Sequence, residues 1–379
     1  MAMIQLPDRF DDIRPYYDSE IPAAMERMAS DPLLEKALAF VPGEVGVGEA
    51  RAALRSIRTT DELQHRIMAP ICHMIEKKTI SSLTYDGVEG LDRNRGLLFV
   101  SNHRDIVMDA FLQQTIIAEH GMPTSHITFG SNLMNPQFVV DVGLSNKMFK
   151  TVRKSADFKA FLESSVHLSD YINHVVAHGE SVWIAQRNGR TKDGFDRTDQ
   201  GLLRMLLIGD GKREALLGLG ITPVSVSYQW EPCDILKAVE LCRSADGKPY
   251  VKAPGEDLHS IVTGITSWKG NVHILMRHIL DETLVPRTMR RSDLMQVVST
   301  MDREIIEGYR LWDTNYAAYD LLNDGSRFAG MYSPSLREEF VSRMDSLLDL
   351  YPDLDRDMLR NIYLKIYAGP VISRDELGI

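Results

Sequence analysis

The chain is poor in cysteine and contains no long apolar run. Its 379 residues include three cysteines, none in a Cys-x-x-Cys pair. This argues against a disulfide framework or a cysteine metal site, and it is typical of a reducing compartment. No stretch approaches the roughly 18 apolar residues of a membrane-spanning helix, and the N-terminus lacks the basic start and apolar core of a signal peptide. We therefore expect a cytoplasmic protein that reaches any lipid by peripheral contact with the inner face of a membrane.

The sequence also lacks an excess of basic residues. Lysine and arginine number 43 against 53 aspartates and glutamates, so the formal net charge is −10 at pH 7. Such a chain is not attracted as a whole to nucleic acid or to an anionic membrane. We predict no nucleic-acid partner, and any phosphate site has to be built from local cations.

Several catalytic signatures are absent as well. There is no Gly-x-Ser-x-Gly, His-Glu-x-x-His or Walker lysine motif, and the glycine-rich segment 43–48 follows no predicted strand. These absences remove the local support for serine hydrolase, zinc hydrolase, P-loop and dinucleotide-binding functions. We expect neither a metal nor a resident cofactor.

The hydrophobic pattern that is present predicts an α/β fold. Short apolar runs of buried-strand length occur at 96–100, 126–130, 181–185, 222–228 and 271–276. Segments of helical length lie between them at 106–119, 155–178 and 198–208. This alternation predicts a mostly parallel central sheet flanked by helices. We expect a helical N-terminal region (1–81), an α/β domain (82–285) and a helical C-terminal region (286–379), in which Ser333 and Asp353 are candidate helix N-caps.

A histidine lies where the first of these strands meets a helix. The apolar run at 96–100 leads through Asn102 into His103, and two aspartates follow, Asp105 and Asp109. The aspartates are four residues apart, which places them on one face of a helix. A carboxylate that accepts from one ring nitrogen fixes the tautomer and leaves the other nitrogen as a base near neutral pH. His103 is therefore the candidate catalytic base.

His103, Arg104 and Asp105 also spell the catalytic tripeptide of protein kinases. A kinase loop needs an asparagine five residues after the aspartate, where this chain has Ala110. No glycine-rich phosphate loop precedes the tripeptide, so a kinase is not predicted.

The block SNHRDIVMD resembles motif I of the glycerolipid acyltransferase superfamily, which contains the glycerol-3-phosphate and lysophosphatidate acyltransferases. In that family a histidine removes the proton of the acceptor hydroxyl, and an aspartate four intervening residues away orients it. The resemblance implies this role for His103, with Asn102 and Arg104 beside it as substrate-binding residues. Here five residues separate His103 from Asp109. Both Asp109, which we prefer, and Asp105 therefore stay candidates for the orienting carboxylate.

Motif II of the family ends in an arginine that binds the phosphate of the acceptor. The block from 143 to 154 is similar to it and contains four cations within eight residues, Lys147, Lys150, Arg153 and Lys154. A planar guanidinium suits phosphate because it can bind two oxygens at once. The resemblance implies that Arg153, with help from Lys150, binds this phosphate.

Motif III is a strand followed by Glu-Gly-x-Arg, which also binds the acceptor. Here the strand at 181–185 leads into Arg187, Gly189, Arg190 and Lys192, so the glycine and the cations are present while the expected glutamate is not. The resemblance implies that these four residues bind the acceptor.

Two further segments extend the resemblance, which covers about residues 82–285. A strand with a proline, as in motif IV, occurs at 221–228, and 269–274 resembles the strand that closes the family's sheet. The resemblance implies transfer of a fatty-acyl group from acyl-CoA or acyl carrier protein, as the donor substrate, to a hydroxyl of a phosphorylated glycerol or lysolipid acceptor. The competing hypothesis is a non-catalytic lipid- or acyl-carrier-binding protein with a degenerate acyltransferase fold.

Basic residues cluster at 147–154, 187–192 and 287–291. On an acidic chain, these clusters predict one local positive face around the site, suited to weak contact with an anionic membrane.

Overall fold

The computed structural model of the protein describes residues 3–39, 45–151, 158–207, 213–245, 247, 250–277, 280–285 and 290–379. Within these ranges seven strands form one sheet. They are β1 (Ile80–Asp86), β2 (Leu98–Ser101), β3 (His126–Gly130), β4 (Met148–Thr151), β5 (Val182–Ala185), β6 (Ile221–Tyr228) and β7 (Gly270–Met276).

Helices precede, separate and follow the strands. Those before and between β1 and β4 are α1 (Ile21–Ser30), α2 (Leu33–Leu38), α3 (Val47–Ser56), α4 (Thr60–Leu63), α5 (Ala69–Thr79), α6 (Met108–Glu119) and α7 (Gln137–Ser145), with a π-helical turn at Gln64–Met68. The next are α8 (Phe158–Ala177), α9 (Gln200–Leu206), α10 (Arg213–Gly218), α11 (Asp234–Arg243) and α12 (Glu256–Thr266). The last are α13 (Arg291–Gly308), α14 (Asp313–Leu322), α15 (Pro334–Leu348) and α16 (Arg356–Leu377).

The sheet is mostly parallel, as the sequence predicts. The strand order is β1-β7-β6-β2-β5-β3-β4, and the five strands from β6 to β4 run in the same direction. Strand β7 is antiparallel to β6 and parallel to β1. The carboxyl ends of β6, β2 and β5 therefore meet at one edge, with β2 in the middle.

Successive residues of the central strands alternate between two hydrophobic clusters. Val100 and Ile184 pack on the face covered by α8, α9 and α13. Phe99 and Trp183 pack on the opposite face, under α5 and α6. This period of two is expected for strands buried on both sides, and it places α6 on the same face of the sheet as Trp183.

The predicted terminal regions share these cores. Met301 of α13 packs in the first cluster, and a third cluster joins Trp230, after β6, to Tyr367 of α16. On the N-terminal side, Arg27 of α1 forms an ion pair with the buried Asp141 of α7 at 2.6 Å.

Three details differ from the expectations. Strand β1 begins at Ile80, inside the predicted helical region, because its backbone pairs with β7. The described part of the block from 143 to 154 contains the end of α7 and strand β4, where no strand is predicted from the sequence. Strand β7 does not close the sheet, because β1 lies outside it. Among the described residues, no helix combines the length and the apolar composition needed to cross a membrane.

Candidate active site

His103 follows β2 at the edge where the carboxyl ends of three parallel strands meet. The backbone N–H of Asn102 donates to the carbonyl of Val224 in β6, at 3.2 Å. On the other side, Gln186 N–H donates to the Ser101 carbonyl at 2.7 Å. The chain around His103 is thus held by both neighbouring strands before it turns into α6.

The carboxyl group of Asp109 holds the His103 ring. Asp109 Oδ2 lies 3.1 Å from His103 Nδ1 and also accepts the backbone N–H groups of Arg104, at 2.7 Å, and Asp105, at 2.8 Å. Its other oxygen accepts from the hydroxyl of Tyr228 at 2.8 Å. Asp109 is fully buried. Four donors therefore fix one carboxyl group, and with Nδ1–H donating to Asp109, Nε2 is the nitrogen left to accept a proton.

Tyr228 is the buried donor that completes this arrangement. It is the last residue of β6, the neighbour of β2. Burial and the nearby Asp109 raise the pKa of Tyr228 well above its usual 10. The hydroxyl therefore keeps its proton and serves as a permanent donor to Asp109.

The opposite nitrogen of His103, Nε2, is the one that Asp109 does not hold. The side chain is 9% exposed, and in the described part of the chain Nε2 makes no hydrogen bond. The ring of Trp183 packs edge-on against the imidazole, with centroids 6.0 Å apart. The imidazole is held on two sides and has one nitrogen available to a substrate.

Asp105 does not contact the imidazole. Its Oδ1 accepts the backbone N–H groups of Val107, at 2.9 Å, and Met108, at 2.8 Å, and so holds the first turn of α6. Its Oδ2 is buried without a hydrogen-bond partner and faces Gly264 of α12. Of the two candidate aspartates, the structure brings Asp109 to His103.

Asn102 is expected to bind substrate but is used within the fold. Its side chain is fully buried, donates to the carbonyl of Val226 and to Asp196, and accepts the N–H of Val226. These bonds join the end of β2 to β6. The Asn102 side chain therefore uses both amide hydrogens and one lone pair of its oxygen within the fold, and its binding of substrate stays a prediction.

Arg104 is likewise buried and paired. Its guanidinium donates to Asp196 at 2.6 Å, and Glu231 lies at 3.6 Å. Burial alone would lower the pKa of the Arg104 guanidinium. The negative charges of Asp196 and Glu231 outweigh this effect and raise the pKa above its usual value. Lys237, also fully buried, donates at 2.6 Å to both Glu231 and the Arg104 carbonyl. Arg104 thus belongs to an internal group of two cations and two anions, while its Nη1 makes no hydrogen bond among the described residues, and its binding of substrate stays a prediction.

Arg190 is a predicted binding residue whose guanidinium is incompletely bonded. The residue is 6% exposed, and its buried Nη1 makes no hydrogen bond in the described part of the chain. Gly189 precedes it with a φ of 79°, and the N–H of Thr191 donates to the His103 carbonyl at 2.6 Å. The loop after β5, which carries Arg190, therefore runs against the backbone of His103.

The other predicted cations lie elsewhere or are paired. Lys150 is on β4, three strand positions from β2, which is about 14 Å across the sheet. Lys192 forms an ion pair with Glu240, and burial lowers its pKa. Arg187 donates within its own loop, to the carbonyl of Phe195. Lys150 therefore lies across the sheet from β2, Arg187 and Lys192 have partners of their own, and Arg153 lies outside the described residues.

The nearest cysteine is not a nucleophile. Cys233, at the start of α11, is buried, and burial raises the pKa of its thiol to about 11. A thiol with that pKa is protonated near neutral pH and is inert. The described residues contain no group of three or more histidine, cysteine, aspartate or glutamate side chains arranged to hold a metal ion.

Several residues that build the site are missed by the sequence reasoning. Tyr228 ends a predicted strand, so its position at the carboxyl edge is a usable signal once β6 is placed beside β2. Asp196, Glu231 and Lys237 give no such signal, because their approach to Arg104 depends on the path of the loops after β5 and β6.

Comparisons with known proteins find a match among solved structures and none among family models or curated proteins. No family model matches the sequence, and no curated protein matches it. Among solved structures, the chain is similar to the crystal structure of the 1-acyl-sn-glycerophosphate (LPA) acyltransferase PlsC from Thermotoga maritima. The identity is 12% over 76% of this chain and 94% of that chain, with a TM-score of 0.38. The functional argument therefore depends on the geometry around His103.

Proposed function

We propose that the protein is an acyltransferase that moves a fatty-acyl group from acyl-CoA or acyl carrier protein to a hydroxyl of a phosphorylated glycerol or lysolipid acceptor. The observation that supports this most is the contact of His103 Nδ1 with Asp109 at 3.1 Å, while Nε2 makes no hydrogen bond to any described residue. That geometry suits a general base, which has to be oriented by one nitrogen and active through the other.

In the proposed reaction, His103 Nε2 takes the proton of the acceptor hydroxyl as its oxygen attacks the thioester carbonyl carbon. Asp109 stabilises the imidazolium that forms. When the tetrahedral intermediate collapses, the carbon–sulfur bond breaks, and the imidazolium returns the proton to the leaving thiolate. The products are an ester and a free thiol.

Direct transfer fits the groups around His103 better than an acyl-enzyme intermediate does. The Cys233 thiol is protonated near neutral pH because its pKa is about 11. The hydroxyl of Ser101 donates to the Asn102 carbonyl at 2.8 Å and is fully buried. Neither side chain is a suitable nucleophile, so the acceptor itself supplies the attacking oxygen.

Arg190 is the residue that we assign to the anionic group of the acceptor. It combines a charge, a buried Nη1 that makes no hydrogen bond among the described residues, and a position one residue before Thr191, which contacts the His103 carbonyl. A guanidinium with an unused donor is suited to a phosphate oxygen. Binding there would hold a nearby hydroxyl within reach of the base.

The test is mass spectrometry of the products from purified protein given acyl-CoA or acyl-loaded carrier protein with a panel of acceptors. We expect an ester of an anionic acceptor and release of the free thiol. Arg190→Gln should raise the KM for anionic acceptors, whereas Arg204→Gln, at an exposed position of α9, should not. Binding of lipid or carrier protein without any product would instead support the non-catalytic alternative.

A further inference from the structure

Helix α12 exposes part of its apolar surface. Ser260 and Gly264 are buried against the protein, and Ile265 packs against the hydrophobic cluster under α5 and α6. On the side opposite Ser260, Leu258 is 54% exposed and Val262 is half-buried. An ordinary surface helix turns its apolar residues inward, so this exposed side suits an apolar partner.

Two further apolar side chains extend this face. Val251, in the segment before α12, is 84% exposed, and Trp268, just after the helix, is 47% exposed. The side chains of Trp183 and Trp230, by contrast, are buried. Tryptophan in this position is typical of a water–membrane boundary, because its ring is apolar and its N–H is polar.

Two unpaired lysines stand beside Trp268. The Lys269 N–H donates to the Thr79 carbonyl at 2.8 Å, which fixes the end of α12 against the end of α5. Lys77 and Lys78, in the last turn of α5, are exposed, and in the described part of the chain neither forms an ion pair. The apolar face of α12 is thus bordered by local positive charge on an otherwise acidic protein.

The same helix borders the candidate active site. A Cβ on Gly264 would lie 2.0 Å from Asp105 Oδ2, so the backbone of α12 touches the loop that carries His103. The thiol of Cys233 also donates to the Ser260 carbonyl at 3.2 Å. The inner face of α12 therefore contacts the loop that carries His103, while Leu258 and Val262 lie on the outer face of the same helix.

We propose that the outer face of α12, with Val251, Trp268, Lys77 and Lys78, binds an anionic lipid surface at the level of the headgroups. The apolar side chains would enter the boundary region while the lysines contact anionic headgroups. The lysines favour this occupant over a second copy of the acidic chain or an uncharged apolar partner. The proposal rests on the proposed function in one respect, because acyl transfer to a lipid would explain why this surface lies on the helix that borders the candidate active site.

The first test uses Trp268 as its own probe. Vesicles of phosphatidylcholine with phosphatidylglycerol should shift the tryptophan emission to shorter wavelength, and brominated lipid should quench it. Leu258→Asp with Val262→Asp should weaken sedimentation with these vesicles by at least about tenfold. Leu350→Asp, which changes a residue that is 66% exposed elsewhere, should bind as the wild type does.

The second test addresses the charge. Lys77→Glu with Lys78→Glu should weaken binding to the mixed vesicles by about tenfold and leave the weak binding to phosphatidylcholine vesicles unchanged. High salt should have the same effect as this double change, and Lys365→Glu on α16 serves as the charge control.

Either of two results would overturn the proposal. One is unchanged vesicle binding in the Leu258 and Val262 variant. The other is a wild-type chain that forms dimers which this variant abolishes, since a second copy would then be the occupant. Neither vesicle test uses catalysis, so a failure here is separable from a failure of acyl transfer, which is measured with a water-soluble acceptor and no vesicles.

Discussion

At the scale of single residues, Asp109 organises the candidate site. Its carboxyl group is the common acceptor for His103, two backbone N–H groups and Tyr228. Because all four partners belong to the protein, the orientation of the imidazole needs no contact with a substrate. Preorganisation of this kind reduces the cost of reaching the transition state.

The two aspartates are expected to differ sharply in their effect on rate. Asp109→Asn should lower kcat by about two to four orders of magnitude, because an amide cannot hold the His103 tautomer in the same way. Asp105→Asn keeps an oxygen for the N–H groups of Val107 and Met108, so it should leave the rate near that of the wild type. Steady-state kinetics of both variants decide this, and an inactive Asp105 variant beside an active Asp109 variant would reverse the assignment.

Tyr228 should act through Asp109 rather than on the substrate. Tyr228→Phe leaves a buried carboxyl oxygen without its donor, which should lower the free energy of unfolding by about 1–3 kcal/mol. It should also lower kcat, though less than Asp109→Asn, with little change in KM. Tyr85→Phe is the control, since the Tyr85 hydroxyl makes no hydrogen bond in the described structure. Urea unfolding and kinetics measure both effects, and an unchanged kcat in Tyr228→Phe would remove it from the site.

At the scale of elements, the contact between α12 and the His103 loop requires a glycine. Gly264→Ala should destabilise the fold by about 1–3 kcal/mol through overpacking, because the new methyl group would meet Asp105 Oδ2. Gly48→Ala in α3 has open space and should instead be stabilising by up to about 1 kcal/mol. Urea titrations of the two variants test this, and similar shifts of the same sign would argue against close contact.

The elements themselves are largely predictable, for physical reasons. The buried strands at 126–130 and 271–276 are found at or within one residue of their predicted bounds, because uninterrupted apolar runs have few alternatives. Ser333 caps α15 as predicted, whereas α16 begins after Asp355 rather than Asp353. A capping residue is recognisable locally, but which of two nearby aspartates acts depends on the loop before it.

Other parts of the site are not predictable from one sequence. Strand β4 is short and basic, and it is a strand because β3 offers a free edge. The roles of Asn102 and Arg104 depend on β6 and on Asp196, which lies 92 residues after Arg104 in the sequence. The spacing of motif I identifies the candidate catalytic residue. Which of its neighbours face a substrate depends on contacts with residues far away in the sequence.

At the scale of the whole molecule, the N-terminal segment is hydrogen-bonded to the central α/β region. The backbone N–H of Ile4 donates to Glu180 Oε1 at 2.5 Å, and His126 Nε2 lies 2.6 Å from the other oxygen of Glu180. Burial would raise the pKa of Glu180, but the hydrogen bond from His126 and the charge of Lys147 hold it at about 2. Burial lowers the pKa of His126, so a neutral ring donates to an ionised carboxylate.

This pair makes stability depend on pH in a defined direction. The depressed pKa of Glu180 contributes about 3 kcal/mol above pH 4.5, and this contribution is lost as the pH falls toward 2. Glu180→Gln should therefore be less stable than the wild type at pH 7, and the difference should shrink at pH 3. Glu338→Gln, at an exposed position of α15 that forms no ion pair in the described part of the chain, is the control. Urea unfolding at the two pH values measures this, and a difference that stays constant would contradict the charge argument.

The central claim is that His103 is the base, and the most direct measurement is the rate of ester formation by His103→Ala. We predict a loss of about two to four orders of magnitude, the usual contribution of a positioned acid–base group, with an unfolding curve close to that of the wild type. His65→Ala, at an exposed histidine before α5, should keep full activity. A folded His103→Ala protein that retains most of its activity would contradict the account.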